Sequence, residues 1–571
     1  VSERIARLID IENRRIYPAR IVVAGDRIAA IEPLTPTAAV EEALPFALPG
    51  YVDAHVHIES SMLVPSEFAR LAVGHGTVAT VSDPHEIANV LGVPGVDFMI
   101  DNGRQVPLKF HFGAPSCVPA TAFETAGATI DSKQVAELLA RDEVLYLTEM
   151  MNYPGVLHQD AEVMAKIGHA VQAGKPIDGH APGLRGADAA SYAAAGITTD
   201  HECVSPEEAI DKLAAGMKIL IREGSAAKNF AALFLLIDRY PGRVMFCSDD
   251  KHPDDLLHGH IDELVRRAVE QGADLFHVLA AACITPVRHY RLPVGTLRVG
   301  DHADFQLVDN LTEFRTLETV INGQTVAVNG RALFGSVPCA PMNRFDCQPT
   351  VADDFAVSAD PAESARCGVS GGDGFVASGN DPASPSSRFV RVRVIEAIDR
   401  SLLTGQRMEA LSVRDGRVLT DTDRDLLKLT VVNRYRPAPP AVAFIHGFGL
   451  RRGAIASSVG HDSHNILAVG GDDDTISAAV NRVIRHRGGI VAISGDHELV
   501  LPLPIAGLMT DHDGATVAAE YQRIDQFVKS ELGCPLTAPF TTLSFMALLV
   551  IPRLKLSDLG LFDCETFSLL R

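Results

Sequence analysis

Short apolar runs alternating with amphipathic stretches dominate the middle of the chain. Between about residues 50 and 290, apolar runs occupy 77–81, 108–113, 144–147, 176–178, 197–200, 217–221 and 244–247. Stretches with helical spacing lie between them, as at 134–140, 161–173, 206–215 and 256–270. With Leu48-Pro49-Gly50-Tyr51-Val52-Asp53-Ala54-His55-Val56-His57 in front, the pattern predicts eight strand–helix units, a (β/α)8 barrel over 50–289. The flanks differ. Residues 4–48 and 293–335 read as β-runs broken by tight turns, among them Asn322-Gly323 between two apolar runs, a strong hairpin signal. Both flanks, 1–49 and 290–345, are expected to build one small β-sandwich domain. Residues 346–388, rich in Ala, Ser, Gly, Asp and Pro, read as a linker or mobile loop. Strand-like runs return at 390–395 and 426–432, so 389–571 is expected to be a C-terminal mixed α/β domain.

A chain of 571 residues exceeds one ordinary core, in keeping with several domains. A net charge of −21 argues against a nucleic-acid backbone or an anionic membrane as partner, yet leaves an uncharged small molecule open. The nine cysteines are odd in number and form no C-x-x-C pair, which suits reduced thiols better than a disulfide framework. No basic-then-apolar leader opens the sequence, and the longest apolar runs, such as 231–237 and 545–551, fall short of a membrane span. The expectation is a cytoplasmic enzyme with a small-molecule substrate and no nucleic-acid or membrane partner. A homodimer is the expected assembly, although no motif encodes it.

Side chains at i and i+2 of a strand share a face, so His55 and His57 can reach one metal ion from a rigid support. An H-x-H pair alone is weak. It gains weight because Glu149, His180, His201 and Asp249 each follow an apolar run, at the strand ends where such barrels carry their catalytic groups. Histidine suits zinc, manganese or ferrous iron, and a carboxylate can bridge two ions. Glu149 would be that bridge, since an unpaired carboxylate there would be costly to bury. A hydroxide between two ions is a strong nucleophile, and Asp249 would take its proton and pass it to the leaving group. Asp250 should face away from Asp249 and hold a ligand histidine from behind. Spacing thus leads to a dinuclear, metal-assisted hydrolysis of a polarised C–N bond, and no further.

Several longer strings carry a resemblance. His57-Ile58-Glu59-Ser60-Ser61-Met62, Ser82-Asp83-Pro84-His85-Glu86-Ile87, Glu149-Met150-Met151-Asn152, Asp178-Gly179-His180-Ala181-Pro182, Ser248-Asp249-Asp250-Lys251-His252-Pro253 and His461-Asp462-Ser463-His464-Asn465 resemble the bacterial adenine deaminases of the amidohydrolase superfamily. The resemblance implies hydrolysis of adenine to hypoxanthine and ammonia on a binuclear centre of manganese or iron, with zinc a further option. It assigns ligand roles to His55, His57, Glu149, His180, His201 and Asp249, with Asp249 as proton shuttle. It also brings His85 to the active site, polarising or relaying protons beside Asp249 and Glu149. Glu86 and Glu59 become candidates for substrate contact, against loop or helix-capping roles. The cluster 461–465 reads equally as a polar turn or as a closure over the barrel mouth. The H-x-E…P-C-x-x-C signature of the other zinc deaminase architecture is absent, so deamination would use the barrel's metals. The rival readings are an amidohydrolase acting on another heterocycle or cyclic amide, and a barrel scaffold without activity.

Overall fold

The structure is a computed structural model that describes residues 1–38, 42–360, 364, 367–369 and 388–570. Its centre is a ring of eight short strands: β1 (Tyr51–Val56), β2 (Thr77–Ser82), β3 (Lys109–Ala114), β4 (Val144–Met150), β5 (Ile177–Gly179), β6 (Thr199–Asp200), β7 (Lys218–Arg222) and β8 (Val244–Cys247). β1 to β5 pair in parallel, as do β6 to β8. Two seams close the ring. The Thr198 amide donates to the Ile177 carbonyl at 2.8 Å, joining β5 to β6. The Asp249 amide donates to the His55 carbonyl at 3.0 Å, and the His57 amide to the Asp249 carbonyl at 3.3 Å, joining β8 to β1.

Helices cover the outside, and their starts follow from local sequence. Asp131 and Gln134 form a reciprocal capping box at Ser132–Leu139, and Ser205 caps Pro206–Ala214. The single helix expected over 256–270 is two, Pro253–His258 and Ile261–Glu270. His260, at the break, turns inward under the barrel, its Nε2 2.8 Å from Asp53 Oδ2 and its Nδ1 2.7 Å from Thr77 Oγ1. That buried polar pairing outweighs two more residues of helix.

Strands from both flanks form one eight-stranded sheet. Phe46–Pro49 lies between Ser2–Asp10, to which it is parallel, and Phe305–Val308, to which it is antiparallel. Asn322 and Gly323 both adopt positive φ, 47° and 77°, in the hairpin between Thr316–Ile321 and Gln324–Val328.

The third region holds a nine-stranded sheet. Strand periodicity divides its side chains. Val392 and Val394 face the helix Asp473–His486, whereas Leu427, Leu429 and Val431 join an apolar core that continues into barrel residues such as Met150 and Ala181. The C-terminal domain is thus packed onto the barrel through a shared core. Residues 346–360, expected as the start of a linker, belong to this domain: Phe355 and Val357 are buried in its core, and the Thr350 amide donates to Asn481 at 2.8 Å. Composition pointed to a linker because these two apolar anchors are isolated among small and polar residues. The rest of that expected linker, 361–363, 365–366 and 370–387, lies outside the described residues.

Candidate metal centre and active site

At the C-terminal rim of the barrel the strands deliver their polar ends into one buried cluster. β1 is buried along its whole length and aims His55 inward, with His57 just beyond it. Their Nε2 atoms lie 3.2 Å apart. Glu149, on β4, places Oε2 2.9 Å from His180 Nδ1, 3.0 Å from His201 Nε2 and 3.8 Å from His55 Nε2. Its Oε1 is 3.5 Å from His57 Nε2. Asp249 Oδ1 sits 3.3 Å from His57 Nε2 and 3.5 Å from His55 Nε2. All six residues predicted from the strand ends therefore meet, and all are buried.

Asp249 has a φ of 54°, in the left-handed region that aspartate tolerates better than most residues. This turn breaks strand alternation directly after β8. Asp250 consequently lines the same cavity and accepts a hydrogen bond from Ser60 Oγ at 2.5 Å. Its expected role behind a ligand histidine is therefore corrected: the expectation assumed that the strand continued.

The donor set fits divalent cations. Two imidazole nitrogens 3.2 Å apart cannot both carry protons, so at least one lone pair points into the cluster. His57 Nδ1 lies 3.3 Å from the Asp83 carbonyl, a contact that keeps the proton on that side and leaves Nε2 free to ligate. Ligand atoms of His55, His57 and Asp249 lie within 4.8 Å of one another, as do those of His55, Glu149 and His201. The two nests share His55 and adjoin at Glu149. Burial works to raise the Glu149 carboxyl, but His180 and His201 outweigh it and hold the group well below the usual carboxylate range. For Asp249 burial is likewise opposed, chiefly by the Arg222 guanidinium, so this carboxylate too is held ionised.

Arg222 and its partner Glu202 escaped the sequence reading. The guanidinium, at the end of β7, donates to Asp249 Oδ2 at 2.7 Å and to both Glu202 oxygens. Glu202 Oε1 lies 3.4 Å from His201 Nε2 and 3.6 Å from His180 Nδ1. A signal is present in the sequence: Arg222 closes the apolar run 217–221 as Asp249 follows the run 244–247, but a guanidinium offers a metal no lone pair and so falls outside a ligand pattern.

His85 opens the helix His85–Leu91, with Nδ1 3.1 Å from Asp83 Oδ2 and 3.6 Å from Glu149 Oε1, and Nε2 3.3 Å from Glu86 Oε1. Of the two readings for Glu59, capping is the one observed: its Oε1 accepts the Ile87 amide at 3.1 Å. Burial pushes the Glu59 carboxyl up to about 7. Glu86 lines the cavity and is gripped by the C-terminal domain, through His461 Nδ1 at 2.5 Å and through His464 Nε2. The Gly460 amide donates to His464 Nδ1 at 3.2 Å, so Nε2 carries the proton given to Glu86. Burial lowers His464 to about 4 and would lower His461 as well, but the Glu86 carboxylate lifts His461 to about 9. The cluster 461–465 thus closes over the barrel mouth, and Leu402, Phe545 and Leu548 complete the far wall.

Residues 46–333 match the Amidohydrolase family, and residues 401–568 match the Adenine deaminase C-terminal domain. The adenine deaminase of Salinibacter ruber is 54% identical over 565 residues, covering 98% of this chain and 97% of that protein. That of Sulfurovum sp. is 51% identical, with 99% and 98% covered, and that of Methanosarcina barkeri 48% identical, with 98% and 97% covered. Likeness on this scale takes in the barrel, the flanking sheet and the domain that closes the cavity, and the chain belongs to the adenine deaminase family of amidohydrolases.

Proposed function

We propose that the protein deaminates adenine hydrolytically, giving hypoxanthine and ammonia, with two divalent ions held by His55, His57, Glu149, His180, His201 and Asp249. The observation that carries this reading is the convergence of His55, His57, His180 and His201, from three separate strand ends, on one buried carboxylate, Glu149, with Asp249 beside the first two. Manganese or iron suits the imidazole and carboxylate donors. When bound, the ions supply a Lewis acid that activates water and polarises the ring nitrogen–carbon system.

The chain's own groups do the rest. Asp249 Oδ2 is tied to Arg222, which leaves Oδ1 turned toward His55 and His57 as the atom that accepts a proton from the attacking water. The water oxygen adds to the ring carbon bearing the exocyclic amine. The proton on Asp249 Oδ1 then passes to that nitrogen, which departs as ammonia. His85, on the cavity wall beside Asp83 and Glu149, gives a proton to the ring nitrogen as the oxygen adds and takes one back from the new hydroxyl as the carbonyl forms. Glu202 and Arg222 act as positioning residues, fixing His180, His201 and Asp249 before substrate arrives.

The test couples metal analysis to ammonia release. Protein stripped of metal and reconstituted with manganese should bind two ions per chain and release ammonia from adenine. Full metal loading with no ammonia from adenine would reject the substrate assignment, and failure to retain metal would reject the centre itself.

A further inference from the structure

The barrel accounts for activating water and moving protons, yet none of its groups explains how the far end of a purine is read. The C-terminal wall offers a candidate. Asp462 is only 3% exposed, lines the cavity, and has an Oδ2 atom without a hydrogen-bond partner among the described residues. Its Oδ1 lies 3.9 Å from His85 Nε2, too far for a hydrogen bond. A buried carboxylate oxygen without a donor is costly, and buried polar groups are nearly always paired. The position is also tightly held. His461 and His464, on either side of Asp462, both bond Glu86, and Tyr435 Oη donates to the Ser463 carbonyl at 2.6 Å. Around it the wall is apolar: Leu402, Leu548 and Phe545, whose ring centroid lies 5.3 Å from that of His461.

We propose that Asp462 is a specificity-determining residue, its free carboxylate oxygen accepting the imidazole N–H of the purine base while Phe545, Leu402 and Leu548 flank the ring. This rests on the deaminase reading above. The chemistry fits the molecule. A free purine base carries one ring N–H on its five-membered ring, at the end opposite the carbon bearing the amine. With that carbon at the metal centre, the N–H points away from the barrel strands and toward the C-terminal wall. A carboxylate there rewards an N–H and penalises a substituent at that nitrogen twice, by leaving the oxygen unpaired and by crowding a closed wall. The C-terminal domain would thus select the free base over a nucleoside, and the barrel would treat both alike.

The experiment uses the manganese-loaded full-length protein and its Asp462→Asn and Asp462→Ala variants. Three readouts are compared: metal content, steady-state kinetics with adenine, and equilibrium dialysis of hypoxanthine, which keeps the same ring N–H. Asp462→Asn should raise KM for adenine and weaken hypoxanthine binding by about 10–100-fold, with kcat changed far less and metal content unchanged. Asp462→Ala should narrow the preference for adenine over 9-methyladenine, because the small side chain leaves room for the methyl group. Wild-type KM, hypoxanthine affinity and discrimination in both variants would overturn the assignment. A loss confined to kcat would overturn it too, since that marks a role in proton transfer. Should wild-type protein itself fail to act on adenine, the deaminase reading falls instead, and hypoxanthine binding to the variants still decides the part played by Asp462.

Discussion

On the barrel side of the cavity, five strand ends and the turn after β8 supply histidines, carboxylates and one arginine, packed so closely that they restrain one another. On the opposite side, the C-terminal domain supplies apolar side chains, the Asp462 carboxylate with one oxygen that has no hydrogen-bond partner among the described residues, and two histidines that hold a barrel glutamate. The first half is built to place charge, the second to fit and enclose. A rigid strand end fixes an atom without needing a partner, whereas a wall from another domain holds its position only through contacts across the interface. Damage to the first half should therefore appear in the rate of the chemical step, and damage to the second in binding and in stability.

The largest effect is expected on the barrel side. Asp249→Asn keeps the shape and the contact with Arg222 but cannot take up a proton, so kcat for adenine should fall by about 10³-fold or more, with both metals retained by elemental analysis. A small loss would show that another group carries the proton.

Glu86→Gln breaks the clamp between the halves. A glutamine amide cannot accept from both His461 and His464, so one histidine loses its partner in a buried site. Removing one member of a buried charged pair costs about 3–5 kcal/mol, and thermal melting should drop by roughly 2–4 °C in a chain of this length. Unchanged melting would mean that the apolar core alone holds the domains together.

Lys555 supports the C-terminal wall from behind, donating to the carbonyls of Leu402 and Phe545 at 2.8 and 2.9 Å. Burial lowers this amine to about 7, against about 10.4 in an unfolded chain. Between those values the unfolded chain binds more protons than the folded one, so this residue makes stability rise with pH. The melting temperature of wild-type protein should gain on that of Lys555→Met as pH goes from 7 to 9. A difference that stays constant with pH would show the amine to be charged in the fold.

The smallest effect is a control on the barrel's outer surface. Asp131→Ala removes one helix cap, costs about 1 kcal/mol, and should leave adenine kinetics untouched; altered kinetics would show that helix capping reaches the site.

The two halves also differ in how far the sequence disclosed them. The alternation of strands and helices placed His55, His57, Glu149, His180, His201 and Asp249 on one rim, because a closed barrel converts strand ends into neighbours. That logic fails where a turn interrupts a strand, as at Asp249 and Asp250, or where a buried bond overrides helix period, as at His260. It also passed over Arg222, a charge that serves the ligands rather than the metal. The C-terminal wall was hidden for another reason. Glu86 and His461 are 375 positions apart, and nothing in either local sequence tells which domain face meets the barrel mouth. Phe355 and Val357 escaped likewise, each a lone apolar residue whose burial depends on a helix more than a hundred positions later.

These six barrel side chains should hold a pair of ions at one rim. Anomalous diffraction from crystals of the manganese-loaded protein tests it most directly. Two peaks about 3.5–4 Å apart are expected, one on either side of the Glu149 carboxylate, with His55 and His57 at one and His180 and His201 at the other. A single peak away from Glu149, or none among these residues, would contradict it.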